Sequence, residues 1–148
     1  MINNTFVGKR IAALDVGTKR IGYATSDEFH IAVTPRLFFD ATKQNLYDII
    51  NAQLQRDDIG VLVVGIPLSH TDEITPMAKL IQTFCTGLRN VLSIPVIEYD
   101  EAFSTKDAFQ SMALSKKSKK KRQEKGQKDM VAAAVILRNF IDDLRRNQ

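Results

Sequence analysis

Residues 59–65 read IGVLVVG, an apolar run that contains no polar side chain. A strand that faces water on one side alternates apolar and polar residues, whereas a strand covered on both faces does not. The run therefore predicts a strand inside a sheet that has other elements packed on both faces. A chain of 148 residues can supply such a layered core as one domain, residues 1–148.

Three short strands are predicted before this run. Residues 9–16 are apolar and end in Asp-x-Gly, residues 20–26 (RIGYATS) alternate weakly, and only a tight turn over 17–19 separates the two segments. Residues 31–39 form the third strand, and Pro35 favours an edge position because proline cannot donate a ladder hydrogen bond. Three consecutive short strands predict an antiparallel meander.

The later residues alternate between helical and strand patterns. Residues 43–56 carry apolar side chains at helical spacing, and Thr75-Pro76 predicts an N-cap and first turn of a helix that ends near Arg89. Residues 95–99 predict a fifth strand, and residues 104–114 and 129–146 predict two more helices. The fold class is therefore α/β, with a mixed five-stranded sheet that combines the meander with two parallel strands and carries helices on both faces. The second helix is expected to turn five apolar side chains inward: Met77, Leu80, Ile81, Phe84 and Leu88.

Positive charge is concentrated in one segment. The chain has 21 Lys and Arg against 17 Asp and Glu, and residues 116–128 (KKSKKKRQEKGQK) hold eight of the basic residues and one acidic residue. This segment predicts a basic, flexible loop that attracts an anionic partner, with a solvated run that keeps the protein soluble as the alternative. The loop contains no aromatic residue, so it would contact phosphates rather than bases. The candidate nucleic-acid contacts at its centre are Lys119, Lys120, Lys121 and Arg122.

Cysteine content and hydropathy favour a cytoplasmic protein. A lone Cys85 cannot form an internal disulfide, which fits a reducing compartment, and its place among apolar helix positions indicates packing. No apolar run approaches the ~20 residues of a membrane-spanning helix. The first residues lack the pattern of a signal peptide.

Carboxylates lie where predicted elements end or begin. Asp15 closes the first strand, Asp100 and Glu101 follow the fifth, and Asp129 starts the last helix. Each of them singly suits a turn or a helix terminus. Several carboxylates in one cleft would need a cation, and hard oxygen ligands suit Mg²⁺ or Mn²⁺, which can activate water for phosphodiester hydrolysis.

Other chemistries have little support in the sequence. His30 and His70 lack the spacing of zinc ligands, and with a single cysteine they predict loop residues rather than a metal centre. The packing role indicated for Cys85 argues against a cysteine nucleophile. A Walker-type phosphate loop is also absent.

Four motifs resemble a known family. DVGTKRIGYATSD (15–27), VLVVGIPL (61–68), DEAFST (100–105) and KDMVAAAVIL (128–137) are similar, in this order, to motifs of the YqgF/RuvX family. These are bacterial proteins with an RNase H-like fold, described as Holliday junction resolvases and as nucleases for the 5′ end of pre-16S ribosomal RNA. The resemblance covers nearly the whole chain.

The resemblance implies a metal-dependent endonuclease. Asp15 corresponds to the family's first-strand acid, Glu101 to its second acid and Asp129 to the acid of its final helix. The implied fold brings these three together as catalytic residues and as ligands of Mg²⁺ (or Mn²⁺), with a 3′-hydroxyl and a 5′-phosphate as products. Lys19 and Arg20, beside Asp15, are candidate phosphate contacts, with exposed hairpin charge as the alternative.

The chain departs from the family pattern at two places, and several functions stay open. Ala102 replaces an arginine of the family, and residues 69–73 (SHTDE) replace a loop with asparagine and glycine. Processing of pre-16S rRNA is the first expectation, with structured RNA and ribosomal precursor particles as partners. The alternatives are a Holliday junction resolvase on branched DNA and a non-catalytic RNA- or ribosome-binding assembly factor. An actin-like or sugar-kinase ATPase shares the core fold but builds its cleft from two domains, and this chain has the length of one.

Overall fold

The computed structural model describes residues 6–68, 73–101 and 125–147. In these ranges the elements are, in chain order, β1 (Arg10–Val16), β2 (Arg20–Ser26), β3 (Val33–Asp40), α1 (Leu46–Arg56), β4 (Ile59–Ile66), α2 (Pro76–Val91), β5 (Val96–Asp100) and α3 (Lys125–Arg146). The helix predicted over 104–114, the basic residues 119–122 and His70 lie outside the described residues.

All five strands form one mixed sheet in the order β3-β2-β1-β4-β5. The strands of the β1–β2 and β2–β3 pairs are antiparallel, and those of β1–β4 and β4–β5 are parallel. The predicted meander with two parallel strands is thus confirmed. β3 is an edge strand, as Pro35 indicated, and the ladder shifts register beside it, between Tyr23 and Ala24.

Two buried cores cover the two faces of the sheet. This confirms the prediction that residues 59–65 form a strand covered on both faces. Leu62 and Val64 of β4 belong to the core under α1 and α2, while Val61 and Val63 belong to the core under α3. All four side chains have no exposed surface. Because β4 is fully covered, it has no face on which a polar residue could reach water.

Helix α2 follows the prediction at its start and differs from it on one face. The Thr75 hydroxyl accepts a hydrogen bond from the Ala78 amide at 3.1 Å, and Pro76 is in the first turn, as an N-cap followed by proline predicts. The helix ends at Val91, close to the predicted end near Arg89. The expectation that Leu80 points inward is wrong: its side chain is 47% exposed, because it borders an open cleft beside α1 instead of the packed core.

Helix α3 begins at Lys125 rather than at Asp129. The last residues of the basic segment 116–128 therefore form a helical turn, and the prediction of a loop is wrong for them. The physical reason is packing on β3: a Cβ atom at Gly126 would lie 2.2 Å from the Phe38 ring. Asp129 consequently lies inside the helix and does not start it.

The structure also bears on two smaller expectations, the packing role of Cys85 and the lack of a membrane-spanning helix. Cys85 is buried in α2, as its position among apolar residues predicted. Of the helices described above, none combines the length and apolarity that crossing a bilayer requires.

Candidate active site

Asp15 lies near the carboxyl end of β1, on the face that α3 covers. Side chains alternate along a strand, and Leu14 and Val16 belong to the α1–α2 core whereas Ala13 belongs to the α3 core. Asp15 therefore faces α3. The four residues of β1 before Asp15, 11–14, are apolar and fully buried, and Asp15 is the first polar residue after them.

Gly22 allows Asp129 to approach Asp15. Gly22 is the register partner of Asp15 in the β1–β2 ladder, and a Cβ atom added to it would lie 1.9 Å from the Asp129 carbonyl oxygen. No other residue type leaves the space for this backbone contact, because glycine alone lacks a Cβ atom. The helix backbone at Asp129 is thereby seated directly over the strand position beside Asp15.

Gly65 makes the corresponding room for Glu101. It lies in β4, the parallel neighbour of β1, and a Cβ atom there would be 3.1 Å from both Cγ and Oε2 of Glu101 and 2.6 Å from Cδ1 of Ile136. Glu101 directly follows β5. Its carboxylate therefore lies over β4, towards α3, so that Asp15, Glu101 and Asp129 approach one end of the sheet from three elements.

The charges of the three acids are coupled at Asp15. Burial, followed by the negative charges of Glu101 and Asp129, raises the pKa of Asp15 from 3.8 to about 7. Burial, followed by the charge of Asp100, also raises the pKa of Glu101. Within the described residues no hydrogen bond to the Asp15 carboxylate offsets this cost. Among the described residues, the Asp15 carboxylate is thus left with two neighbouring negative charges and no hydrogen-bond donor.

Arg20 forms a salt bridge with Asp129. Its Nε donates to Asp129 Oδ2 at 3.0 Å, and the two side chains are 31% and 28% exposed. Arg20 thus lies against the acids rather than extending into solvent, whereas Lys19 is exposed in the β1–β2 turn. Of the two predicted phosphate contacts, Lys19 is the more exposed to solvent.

The donor set suits a hard divalent cation. Three carboxylates, like-charged and coupled at a half-buried aspartate, are the oxygen ligands that Mg²⁺ and Mn²⁺ prefer. Over residues 6–68, 73–101 and 125–147, no three His, Cys, Asp or Glu side chains are already closed into a ligand shell, and one Asp129 oxygen is turned to Arg20. The side chains of the acids would need to turn for a cation to take all three.

Sequence reasoning missed the two glycines that position the acids. Both interrupt strand patterns, Gly22 in RIGYATS and Gly65 in VLVVGI. A glycine inside a strand indicates a close approach of another backbone or group, so the signal was present. What approaches could be read only from the folded chain, because Asp129 and Glu101 are far away in sequence.

Comparison with known proteins identifies the family. The family model described as "RuvX: Holliday junction resolvase" matches residues 9–143. This chain belongs to the RuvX family. The YqgF/RuvX resemblance of the four motifs is thereby confirmed.

The chain matches named relatives over nearly their full lengths. The chain is 37% identical to a Chlorobaculum tepidum protein over 135 residues, covering 90% of this chain and 94% of that protein. It is 36% identical to a Roseiflexus protein over 137 residues, covering 92% and 96%. Both relatives bear the name "Putative pre-16S rRNA nuclease".

Among solved structures, Thermus thermophilus RuvC has the same fold. It aligns with a TM-score of 0.51 and 16% sequence identity, over 86% of this chain and 92% of RuvC. At this identity the similarity concerns the fold alone, and it confirms the expected RNase H-like architecture.

Proposed function

We propose that this RuvX-family chain is a Mg²⁺- or Mn²⁺-dependent endonuclease that hydrolyses phosphodiester bonds of nucleic acid. Its proposed catalytic residues and metal ligands are Asp15, Glu101 and Asp129. The observation that carries the proposal is the electrostatic coupling at Asp15, whose pKa is raised to about 7 by burial and by the other two acids. Such a cluster costs folding free energy without a cation, which favours a role in holding one.

Each residue of the site has a defined task in this proposal. A bound divalent ion would supply Lewis-acid activation of water and stabilisation of the leaving oxygen. Asp15, in the middle of the cluster, presents its carboxylate from the rigid end of β1. Arg20 occupies one Asp129 oxygen through the 3.0 Å hydrogen bond and would yield it to the metal, and Lys19 contacts a phosphate of the substrate.

The proposed substrate is structured RNA, with processing of the 5′ end of pre-16S rRNA in the cytoplasm as the biological reaction. The names of the Chlorobaculum and Roseiflexus relatives support this assignment. Ribosomal precursor particles are the proposed partners. Residues 119–122 (KKKR) would add attraction to phosphates that weakens as salt is added.

Branched DNA is the second candidate substrate, because the matching family model carries the description "Holliday junction resolvase". A junction resolvase cuts two strands and so needs two active sites. A dimer in solution would favour this candidate, and a monomer would favour RNA processing.

The deciding experiment compares cleavage of two substrates by three proteins. A pre-16S rRNA fragment with its 5′ extension and a four-way DNA junction are each incubated with Mg²⁺ or EDTA. We expect the wild type to cut one of them with Mg²⁺ only. Asp15→Asn abolishes cleavage, because the variant loses the central ligand charge. Asp142→Asn, on the outer part of α3, serves as the matched control and keeps full activity.

Binding of Mn²⁺, followed by electron paramagnetic resonance, separates metal binding from catalysis. Wild type and Asp142→Asn should bind Mn²⁺, whereas Asp15→Asn and Asp129→Asn should bind it at least about tenfold more weakly, as expected for the loss of one ligand. Nucleic-acid binding without cleavage in any metal would contradict the nuclease and support the assembly factor. Cleavage that survives Asp15→Asn would place the chemistry elsewhere.

A further inference from the structure

A cleft of about 360 Å³ opens at the same end of the sheet as Asp15, on the opposite face. Its floor is the end of β1 and the β1–β2 turn, and its walls come from α1, α2 and the residue after β3. The residues that matter here are Gly17, Thr18, Tyr47, Leu80, Thr83 and Phe84. The size is at the small end of the range for ligand sites, about 300–1,000 Å³.

The lining of the cleft is mainly apolar and aromatic. The Tyr47 and Phe84 rings are in contact, with centroids 5.5 Å apart and planes tilted by 43°. Leu80, whose side chain is 47% exposed, forms part of the opening. Thr18 and Thr83 add hydroxyl groups at exposed positions. Flat apolar surface with a few hydroxyls suits a planar heteroaromatic ring whose edge carries polar groups.

Charges beside the cleft favour an anionic occupant. Lys19 follows the lining residue Thr18, and Lys79 precedes the lining residue Leu80; both lysines are exposed. The Ala41 amide of the lining donates to the Lys19 carbonyl at 2.9 Å, which ties the β1–β2 turn to the end of β3.

Further charges of both signs lie beside the same lining segments. Lys43 follows Ala41 closely, and Asp40 and Asp48 are the neighbouring acids. The Asp40 carboxylate is already bonded to the backbone and hydroxyl of Thr42. Among these sequence neighbours of the lining residues, three lysines outnumber two acids.

The cleft and the proposed active site lie at the same end of the sheet, on its two opposite faces. Gly17 and Thr18 come directly after the end of β1 that carries Asp15. A Cβ atom at Gly17 would lie 2.8 Å from the Arg20 carbonyl oxygen, so the turn between the cleft and Arg20 is tight. A nucleic-acid strand that crosses this end of the sheet would pass from one to the other.

We propose that this cleft binds one unpaired nucleobase of the nucleic-acid substrate, beside the nucleotide whose phosphate reaches Asp15. The inference rests on the proposed function for the identity of the substrate. The base enters between Leu80 and Tyr47, while Lys19 and Lys79 contact flanking phosphates. The site recognises the base as an unstacked ring, which requires a single-stranded or flipped nucleotide next to the cut.

The test fills the cleft and leaves the acids untouched. Thr83→Tyr places a ring in the opening, and Thr86→Tyr is the matched control, because Thr86 is also exposed on α2 but does not line the cleft. Leu80→Gln is a second variant that removes apolar surface at an exposed position. Unfolding curves verify that all three variants fold.

Binding is measured by fluorescence anisotropy in EDTA, so that cleavage plays no part. The probes are a short labelled oligouridine RNA, the same strand with abasic sites, and the two DNA counterparts. We expect Thr83→Tyr and Leu80→Gln to weaken binding of the base-bearing strands about tenfold, as for the loss of one stacked base. Binding of the abasic strands should change less than about twofold, and Thr86→Tyr should match wild type. The RNA and DNA arms show which sugar the site accepts.

Several results would overturn the base site. Wild-type protein that binds abasic and base-bearing strands equally, or variants that weaken both equally, would exclude recognition of a base. A failure of the proposed function looks different: wild type would cut neither RNA nor junction in Mg²⁺, while the base-dependent binding in EDTA would persist.

Discussion

Asp57 and Asp15 are both shielded from solvent within the same domain, but their surroundings stabilise the negative charge of Asp57 and destabilise that of Asp15. Asp57 lies before β4, at the amino end of the parallel strands, and its side chain is 9% exposed. It accepts hydrogen bonds from Tyr23 Oη at 2.6 Å, Gln53 Nε2 at 2.9 Å and Arg36 Nη2 at 3.2 Å. Asp15 lies at the carboxyl end of β1 and faces two other acids.

The pKa shifts of the two groups have opposite signs. Burial tends to raise the pKa of Asp57, but the bonds from Gln53 and Tyr23 and the charge of Arg36 outweigh it, and the pKa falls below its usual value. At Asp15, burial and the negative charges of Glu101 and Asp129 act in the same direction, and together they raise its pKa to about 7. Asp57 thus has its own donors, whereas Asp15, a proposed metal ligand, has none among the described residues.

The arginines at the two ends differ in the same way. Arg36 is one of three donors to Asp57, which is 9% exposed, whereas Arg20 serves Asp129, which is 28% exposed. The Arg36 pair is anchored in a satisfied network. The Arg20–Asp129 pair is more exposed to water. Replacing Arg20 by another cation at Asp129 should therefore cost less free energy than breaking the Arg36–Asp57 pair.

The largest expected effect comes from Asp57→Ala. This change leaves Tyr23, Gln53 and Arg36 without their acceptor, and we expect the free energy of unfolding to fall by about 3 kcal/mol. Urea denaturation measures this value, with Asp142→Ala on α3 as the control. A loss below about 1 kcal/mol would mean that water replaces the network easily, and the contrast with Asp15 would then be weaker than proposed.

Asp15→Asn should have the opposite sign and stabilise the metal-free protein. The folded pKa of Asp15 is raised, so the neutral form is favoured, and stability is lost as pH rises from 3.8 through about 7. An asparagine carries no charge to lose. We therefore expect a gain on the order of 2 kcal/mol at about pH 8.

The pH profile is the sharper measurement of the Asp15 effect. Unfolding is followed in EDTA from acid to alkaline pH for wild type and Asp15→Asn. The gain should vanish below the ordinary pKa of 3.8 and level off above about 7. Asp57 behaves in reverse, because its contribution is present above its usual pKa and is lost as pH falls through the lower folded value. A gain that is independent of pH would show that shape rather than charge stabilises the variant.

The sheet could be predicted from the sequence because its signals are local. Alternation, the unbroken apolar run over 59–65 and the Thr75-Pro76 cap each depend on residues a few positions apart. The start of α3 could not be predicted, because the contact of Gly126 with Phe38 lies between distant residues. Leu80 was misplaced for a related reason: helical spacing shows which residues share a face, but not where that face ends at an open cleft.

The candidate site was predictable only as a list of acids. The family motifs pointed to Asp15, Glu101 and Asp129, and their roles stay a prediction. Helical or strand spacing cannot predict the coupling of their charges. The coupling arises where three elements meet over Gly22 and Gly65. The network of Asp57 was missed altogether, because an aspartate after a helix suits a turn equally well.

Arg20→Met tests the smallest of the contrasts between the two ends. The Arg20–Asp129 pair is partly exposed, so we expect its loss to cost at most about 1 kcal/mol of stability. Affinity for Mn²⁺ should rise about threefold, because a competing cation leaves Asp129 and the negative charge of the cluster is less compensated. Lys19→Met is the matched control: it removes a neighbouring, exposed positive charge that makes no salt bridge with a described residue. If both variants raise the affinity equally, a general charge effect accounts for it. If Arg20→Met lowers the affinity, Arg20 holds Asp129 in its ligand position and does not compete with the metal.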